Sequence, residues 1–448
     1  MKGIILYFAL SILILQCQSC KSEKPKEQIQ IESISTINDS IPLFIVGTYL
    51  HDQTSISMNE IIQGVRSGKI TITSDIRDFV KSNWNIDQPR IQSLKVWNDR
   101  SRNNLILLSI DSLSNRFLPL AIDSMDYFMN PKTYPLYVKS VHPFSFEKHV
   151  TTYVHTGVTA LTRSTGLYLD RNPIEKYIKY VKPYFEKPDL VHISNEVSID
   201  DTCSYAGMRL SFLTKTKHFN VLKALRANII ELTGNHNLDR GISPYLKALN
   251  WYTKENMRYF GGGANNQEAQ APLILTLKDS TRIAWIGFNE RCPLGECADK
   301  GPGANRYSDV KSQSMIDSLR KTGINTIIAC VQYSEVDGYT PHTSQKAISK
   351  RLIDFGADIL IGSQAHVVQE IGMHKGKMLF YGTGNFLFDQ TYKPEVRRAF
   401  FLQCAFYKGR LIQTKPVYTF MRSTKEPDIA SSQKREIIRE AILKEENF

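Results

Sequence analysis

Polar side chains follow the points where apolar, strand-like runs of this sequence end. The run that ends at Thr233 is followed directly by Gly234, Asn235 and His236. Glycine permits a tight backbone turn, so the carbonyl of Asn235 and the imidazole of His236 can face one point. This combination suits a hard or borderline divalent metal ion together with an anionic oxygen.

The ends of the other apolar runs carry similar residues. In open α/β folds the carboxyl ends of strands meet at one edge of the sheet, so these separate segments should supply one rim. Asparagine and glycine are also common turn formers, and each segment alone is therefore a weak signal. The polar residues at or just beyond these ends are Arg163, Asn195, Glu196, Gln332, Glu335, Gln364, His366 and Asn385.

Three of the residues at the strand ends could together bind a metal ion. His236 and His366 supply imidazoles and Glu196 supplies a carboxylate, which leaves one coordination position open, as catalytic metal sites require. The alternative is that the same side chains only hydrogen-bond one another beneath the loops.

Alternating strands and helices must position this rim. Strands are predicted at 151–154, 190–194, 229–233, 283–288, 326–331 and 359–361, and helices at 173–185, 219–226, 242–254, 310–321 and 344–355. Asn172 before Pro173 is predicted as a helix N-cap. The alternation predicts an α/β sandwich, and hairpin-like strands between 367 and 418 predict a mixed or second sheet.

The first part of the chain divides into short segments of different character. Residues 1–19 have the charge and apolar run of a signal peptide of the lipoprotein type, with Cys20 as the lipidated residue. Cys17 is the alternative acceptor, and a simple secretory signal or an uncleaved anchor is the alternative to a lipoprotein signal. Residues 20–40 are polar and predict a tether.

The remaining residues are predicted to form two parts. Residues 41–146 predict a small α/β block, with strands near 91–96 and 105–110, that faintly resembles part of a periplasmic solute-binding protein. Residues 147–448 form the main body. Cys292 and Cys297 lie close together in a loop, where export makes a disulfide possible.

Composition restricts the class of protein. The 448 residues are 42% hydrophobic and 22% charged, which excludes a disordered chain, a collagen-like repeat and a multi-span membrane protein. The net charge is +12, and removal of residues 1–19 leaves +11. An exported, lipid-anchored body of this charge is expected to meet acidic polymers or anionic lipids at the cell envelope, and not nucleic acid.

The rim motifs resemble the CapA family, the poly-γ-glutamate capsule biosynthesis proteins. The stretches that carry the resemblance are 194–196 (Ser-Asn-Glu), 232–236 (Leu-Thr-Gly-Asn-His) with Asp239, 261–265 (Gly-Gly-Gly-Ala-Asn), 352–358, 366–369 and 381–390. The resemblance implies a calcineurin-type metallophosphoesterase fold, thus a metallophosphatase-like α/β sandwich with mixed sheets behind the small α/β block. It also implies a role in synthesis or processing of a capsule polymer.

The sequence departs from the family pattern where metal or phosphate ligands are expected. Val158 stands where the family commonly has Asp, Gln332 and Ser334 replace a His and a Gly, and residues 363–365 are Ser-Gln-Ala where the family has His-His-Pro. Loss of these ligands should weaken metal binding. The resemblance therefore implies one divalent metal ion or none.

Two functions follow from these observations. In the first, a hydrolase-like or transferase-like site acts on an anionic substrate, with His236 as general acid or base, Asn235 as ligand or oxyanion donor, and Glu196 holding a metal or a water. In the second, the protein has lost the metal centre and binds a polyanion or glycan without catalysis. Substrate binding is expected from Arg163, which suits a carboxylate or phosphate, and from Gln332, Glu335, Gln364 and Asn385.

Overall fold

The structure is a computed structural model that describes residues 40–448 except 141, 209, 294 and 337. A small sheet in the front block has the strand order β3-β4-β1-β5, and β7 also pairs with β1. The elements of this block are β1 Ser40–Gly47, β2 Ser55–Ile56, α1 Met58–Arg66, β3 Ile70–Ile72, α2 Arg77–Trp84, β4 Leu105–Ser109, β5 Leu118–Pro119, β6 Ala121–Ile122, β7 Tyr137–Lys139 and α3 Phe146–His149.

The next part of the chain alternates strands and helices. Its elements are β8 Val150–Thr159, α4 Arg163–Arg171, α5 Ile174–Ile178, β9 Leu190–Asn195, β10 Ser198–Ile199, β11 Leu213–Thr214, α6 Asn220–Ala224, β12 Ile229–Glu231, α7 Ile242–Lys254, β13 Arg258–Phe260, β14 Gly262–Gly263 and α8 Asn266–Gln270.

The last part continues the alternation and then forms hairpins. Its elements are β15 Leu273–Thr276, β16 Arg282–Asn289, β17 Gly303–Ala304, α9 Asp309–Lys321, β18 Thr326–Gln332, α10 Thr343–Phe355, β19 Ile359–Ser363, β20 Ile371–His374, β21 Lys377–Phe380, β22 Asn385–Leu387, β23 Arg398–Tyr407, β24 Arg410–Met421, β25 Pro427–Ile429 and α11 Ser432–Ile442.

Two mixed sheets form the body. The first has the order β13-β12-β9-β8-β23-β24-β25, with β22 also pairing with β8, and the second has the order β15-β16-β18-β19-β21-β20. Side chains of both sheets share one apolar core, which includes Tyr153 of β8 and Trp285 of β16. The Trp285 indole donates a hydrogen bond to the Tyr153 hydroxyl at 3.0 Å. The sheets therefore face each other, as expected for the predicted α/β sandwich with mixed sheets.

Helices cover the outer face of each sheet. The buried side of α7, with Tyr245 and Leu249, packs on β8, β9 and β12. The buried sides of α9 and α10 pack on β16, β18 and β19 in a separate cluster. Because strands β8, β9 and β12 run parallel, and β16, β18 and β19 also run parallel, each group carries its carboxyl ends at one edge.

Three local predictions were wrong. The predicted helix 173–185 ends early at Ile178 and is followed by a single 3-10 turn, because Pro183 lacks the N–H that a continuing helix needs. Asn172 follows the end of α4 and is not an N-cap; Pro173 takes that position before α5. The expected strand at 91–96 is an isolated bridge at Ile91 and a 3-10 turn at Leu94–Val96.

The front block has its own sheet, but its core continues into the body. Apolar side chains of β1, β3 and β4 pack in one cluster with Ala405, Tyr407 and Ile412 of β23 and β24. The division near residue 146 therefore stays a prediction within one compact unit. The predicted signal, Cys20 and the tether up to residue 39 lie outside the described residues. None of the helices that the structure describes has the length and apolar character needed to cross a bilayer.

Candidate functional site

The strand ends of the two sheets meet at a cluster of amide and carboxyl side chains. Glu196 follows β9 and Asn235 follows β12 in the first sheet, whereas Gln332 ends β18 and Gln364 follows β19 in the second. The Gln332 side chain bonds to the other three, which joins the carboxyl ends of both sheets. The rim predicted from the sequence therefore exists for these four residues.

Gln332 is the centre of this cluster. Its Nε2 lies 2.8 Å from Glu196 Oε1, 3.0 Å from Asn235 Oδ1 and next to Gln364 Oε1, and its two hydrogens are shared among these three oxygens. Its Oε1 accepts from Asn289 Nδ2 at 2.8 Å. Since Asn289 Nδ2 also donates to a backbone carbonyl and Asn289 Oδ1 accepts a backbone N–H, the orientation of both amides is determined.

This orientation decides what occupies the point where three oxygens converge. Convergent carboxylate and carbonyl oxygens are the ligands of a hard cation. Here the Gln332 amide nitrogen, itself a hydrogen-bond donor, points at them, and the family's aspartate position is the buried Val158. The residues present at this point do not fit the dinuclear centre that the family resemblance implies.

Glu196 combines burial with an unsatisfied oxygen. Its Oε1 is held by Gln332, whereas Oε2 is buried and has no hydrogen-bond partner among the described residues. Burial raises the pKa of Glu196 to about 7, and the charge of His236 acts in the opposite direction. Gly234 is required here, because an added Cβ would lie 2.8 Å from Glu196 Cγ. Glu196 is therefore a carboxyl group that can gain or lose a proton near neutral pH.

His236 is paired with an aspartate. Its Nδ1 lies 2.9 Å from Asp239 Oδ2, and the same oxygen accepts the backbone N–H of Phe212 at 2.6 Å. Burial alone would lower the pKa of His236, but the hydrogen bond to Asp239 and the charge of Glu196 outweigh it and raise the pKa. The bond at Nδ1 leaves Nε2 as the atom for proton exchange or metal binding.

His366 and Asn385 form a second imidazole unit. His366 Nδ1 lies 2.9 Å from Asn385 Oδ1, and Asn385 Nδ2 donates to the Val396 carbonyl at 3.1 Å. Asn385 Oδ1 therefore accepts from His366 Nδ1–H, which defines the tautomer. Glu335 is mostly exposed, and its Oε1 lies 3.9 Å from His366 Nε2.

Arg163 lies mostly buried beside the site and is paired with a carboxylate. Its Nε donates to Asp389 Oδ1 at 3.1 Å, and only 19% of its side chain is exposed. The guanidinium lies over the rings of Phe212 and Phe388, at 4.6 and 4.9 Å from their centroids. Arg163 is held in place beside the site, although its backbone has a positive φ of 47°.

The same two phenylalanines connect the three basic groups. The Phe212 ring lies 4.1 Å from the ring of His236, and the Phe388 ring lies 5.2 Å from the ring of His366. Arg163 contacts both rings, so three groups able to carry positive charge surround one aromatic pair. This arrangement suits an anionic ligand.

A disulfide-bonded loop completes the site. Cys292 and Cys297 form the bridge that the sequence allowed. Between them, Glu296 Oε2 accepts the Leu238 N–H at 3.0 Å, next to the Asn-His segment. Burial, together with the charge of Asp239, raises the pKa of Glu296 to about 7, although the Leu238 N–H acts in the opposite direction.

Sequence reasoning missed five residues of this site. Asp239 and Asp389 belong to the stretches that carry the family resemblance, but they were given no role in the site. No sequence signal pointed to the others, because their neighbours come from distant strands. The missed residues are Phe212, Asp239, Asn289, Glu296 and Asp389.

Glu196, His236 and His366 are the metal ligands predicted from the sequence. Among the described residues, a single group of three or more His, Cys, Asp or Glu side chains has its ligand atoms close enough to hold an ion. That group lies inside the sandwich and does not include Glu196, His236 or His366. The metal role of these three stays a prediction.

The fold and this site define an α/β sandwich protein with carboxyl, imidazole and amide groups at the strand ends. The family model for the bacterial capsule synthesis protein PGA_cap matches residues 152–390. Since this is more than half of the chain, the protein belongs to that family, and the resemblance to CapA is confirmed.

Curated relatives carry consistent names. The chain is 26% identical over 232 residues to the PGA biosynthesis protein CapA of Bacillus subtilis, covering 50% of this chain and 61% of that protein. It is 25% identical over 252 residues to the capsule biosynthesis protein CapA of Bacillus anthracis, covering 54% and 61%. A probable polyglutamine synthesis accessory protein of Mycobacterium tuberculosis is 23% identical over 197 residues, covering 39% and 51%. The chain thus spans about three fifths of the length of the first two relatives.

Solved structures to which the chain is similar include a phosphoesterase and a nucleotidase precursor. The calcineurin-like phosphoesterase YfkN of Bacillus subtilis has a TM-score of 0.37 at 11% identity, covering 65% of this chain and 98% of that chain. A 5'-nucleotidase precursor of Thermus thermophilus has a TM-score of 0.36 at 16% identity, covering 65% and 57%.

Proposed function

We propose that this protein acts in the synthesis or processing of an anionic, capsule-type polymer, using Glu196 and His236 as an acid–base pair. The observation that carries the proposal is Glu196, whose Oε2 is buried without a partner and whose pKa is raised to about 7. A carboxyl group of this kind is stabilised when a substrate or water donates a hydrogen bond to it. The names of the curated relatives support the polymer class.

The chemistry can be written for an amide-linked acidic polymer. The Glu196 carboxylate takes a proton from water while the water oxygen forms a bond to the carbonyl carbon. The bond from that carbon to nitrogen then breaks, and the His236 imidazolium gives its proton to the leaving nitrogen. In a transferase, an amine takes the place of water. Asp239 holds the imidazolium in position through Nδ1.

Anion recognition belongs to the groups around the aromatic pair. Carboxylates of the polymer would lie near Arg163, His236 and His366, which surround Phe212 and Phe388. Asn235, Gln364 and Asn385 orient neighbouring groups, whereas Glu335 lies at the exposed side. The positive net charge of the chain favours approach of a polyanion.

The second candidate function is polyanion or glycan binding without catalysis. Val158 in the family's aspartate position and the Gln332 nitrogen among the convergent oxygens favour it, since both exclude the dinuclear metal chemistry of the family pattern. A single divalent ion held by Glu196, His236 and His366 stays a prediction from the sequence, and the acid–base steps do not use it.

The cellular location is part of the proposal. A protein that acts on capsule polymer belongs at the cell envelope, and the lipoprotein-type signal predicts export and anchoring to the membrane at Cys20. Substitution Cys20→Ala should move the protein from the membrane fraction to the soluble fraction, and mass spectrometry should lose the lipid mass. An unchanged distribution would contradict the anchor.

The function is tested by incubating the full chain with poly-γ-glutamate oligomers and with a chromogenic phosphodiester, in the presence and absence of chelator. We expect cleavage or transfer that resists chelator and falls by about 10²–10⁴-fold in Glu196→Gln and in His236→Asn. The exposed Glu175→Gln is the matched control and should retain full activity.

Two outcomes separate the candidates. Binding of the oligomers without turnover, unchanged in Glu196→Gln but weakened in Arg163→Ala, would establish the binding protein. Activity that disappears with chelator would show that a metal ion takes part and contradict the metal-free acid–base pair.

A further inference from the structure

Four potential metal ligands lie inside the sandwich, below the rim. They are His155 on β8, His192 on β9, Glu231 on β12 and Cys330 on β18, and each is at most 2% exposed. Their ligand atoms all lie within 4.8 Å of one another. Three come from the first sheet and one from the second, so the cluster bridges the two sheets at their centre.

The cluster is distinct from the site at the rim. His192 lies on β9, four positions before Glu196, which follows that strand, and Cys330 lies two positions before Gln332. The rim residues end or follow their strands, whereas the four ligands point into the core shared by the sheets. No proposal made for the rim uses them.

The ligands are already oriented by their neighbours. His155 Nδ1 lies 2.7 Å from the Tyr153 hydroxyl, which itself accepts from the Trp285 indole. His192 Nε2 lies 3.0 Å from Glu231 Oε2. The contact of His155 with Tyr153 is of the supporting kind that orients the ligands of metal sites, whereas the His192–Glu231 contact joins two proposed ligands and is replaced when an ion binds.

We propose that this cluster binds one borderline divalent transition-metal ion of the zinc class, with two imidazoles, one carboxylate and one thiolate as ligands. Such a mixed nitrogen, oxygen and sulfur set is typical of tetrahedral zinc. Tetrahedral ligands lie about 3.3–3.8 Å apart, so atoms spread over 4.8 Å must contract slightly. The rings of His155 and His192 stack 3.8 Å apart and nearly parallel, and they must tilt because imidazole lone pairs lie in the ring plane.

The charge of the site balances. In the metal-free protein, His192 Nδ1 accepts the Thr156 N–H at 3.4 Å, so the His192 proton is on Nε2; a neutral cluster then has one further proton on Glu231 and one on the Cys330 thiol. A divalent ion replaces the protons of Glu231 and Cys330, which pass to solvent, and the His192 proton moves from Nε2 to Nδ1, so that a carboxylate, a thiolate and two neutral imidazoles bind the ion. The cluster is neutral before and after, so an ion can be held in the apolar core without a net buried charge.

Burial also determines when the ion enters. All four ligands are inaccessible in the folded chain, so the ion must bind during folding and leave only on unfolding. The site would then stabilise the contact between the sheets, whose strands end at the rim. It does not depend on the proposed function.

The test is metal analysis of the full chain produced with added zinc, together with refolding in the presence of Co²⁺. We expect about one metal ion per chain and a thiolate-to-cobalt charge-transfer band in the refolded protein. Cys330→Ser should abolish the band, and His192→Gln should lower the metal content of the purified protein. Cys404→Ser is the matched control, because Cys404 is also a buried free cysteine but lies outside the cluster.

Three results would overturn the proposal. The first is wild-type protein that retains less than about a tenth of an ion per chain and shows no cobalt band. The second is a band that persists in Cys330→Ser. The third is a loss of the bound metal in Glu196→Gln, which would place the ion at the rim. If that variant instead loses activity but keeps its metal, the result bears on the proposed function of the rim and not on this metal site. If Cys330→Ser does not fold, the wild-type measurements decide.

Discussion

Substitution Glu196→Gln should change how the stability of the protein depends on pH. Glu196 is 1% exposed, and burial raises its pKa from the ordinary 4.5 to about 7. The folded protein therefore holds this proton at pH values where the unfolded chain has released it. A group of this kind destabilises the folded state as pH rises through the interval between the two pKa values.

The magnitude follows from the two pKa values. Their difference corresponds to a loss of about 3 kcal/mol in the free energy of unfolding. This loss is absent below about pH 4.5 and complete above about pH 7. Glutamine removes this contribution and keeps an oxygen for the Gln332 hydrogen bond. Its new amide nitrogen lies where Oε2 had no partner, which costs about 1–3 kcal/mol at every pH.

The variant should thus be less stable than wild type near pH 4.5 and equally or more stable near pH 8, a relative change of about 3 kcal/mol. Urea unfolding of both proteins at these pH values measures it. The charge of Glu196 is one cause of the raised pKa of His236, so the substitution also reduces the stability that His236 loses as pH rises, and the difference between the proteins reports both groups in the same direction. The exposed Glu175→Gln should give no such difference. A stability difference for Glu196→Gln that does not vary with pH would refute the assignment of a buried carboxyl that titrates near neutrality.

Three further outcomes are expected. Gln332→Glu places a second carboxylate against Glu196, so stability should fall steeply by about 2–4 kcal/mol between about pH 5 and 8 in urea titrations; a flat profile would contradict the described amide orientation. Asp239→Asn removes the partner of His236, and NMR titration should show a lower imidazole pKa, whereas an unchanged pKa would show that other charges dominate. Cys292→Ser opens the disulfide-bonded loop and should cost about 2 kcal/mol in unfolding measurements, and a loss within about 0.5 kcal/mol would show that the loop is held without the bridge.

The strands of the body could be predicted because strands that are buried on both faces have continuous apolar sequences. Ile283–Phe288 and Thr326–Val331 were each extended by one or two residues in the structure. Helix α7 was predicted with its observed bounds. The prediction at 173–185 failed because a helical apolar pattern continued across Pro183, and the pattern took precedence over the missing N–H.

The sequence predicted which residues lie at the candidate site, but not how their side chains hydrogen-bond to one another. Parallel strands bring their ends together, so Glu196, Asn235 and Gln332 were expected at one rim. Which atom of Gln332 faces the others depends on Asn289, 43 positions away, whose amide is oriented by the backbone around it. Burial of Glu196 likewise depends on loops from both sheets. A sequence shows which donors are available, but hydrogen-bond direction arises only from the packed structure.

The amides at the rim explain how this family member folds without ligands where the pattern expects them. A buried carboxylate facing several carbonyl oxygens is unfavourable unless a cation or a hydrogen-bond donor lies between them. The Gln332 amide supplies that donor and bonds to Glu196, Asn235 and Gln364. A histidine at 332 without a metal ion would offer these three oxygens one N–H, whereas the Gln332 amide offers two. Glu196 Oε2 still has no hydrogen-bond partner after these bonds are made. This oxygen can exchange a proton, whereas a core in which every polar atom had a hydrogen-bond partner would offer no such atom.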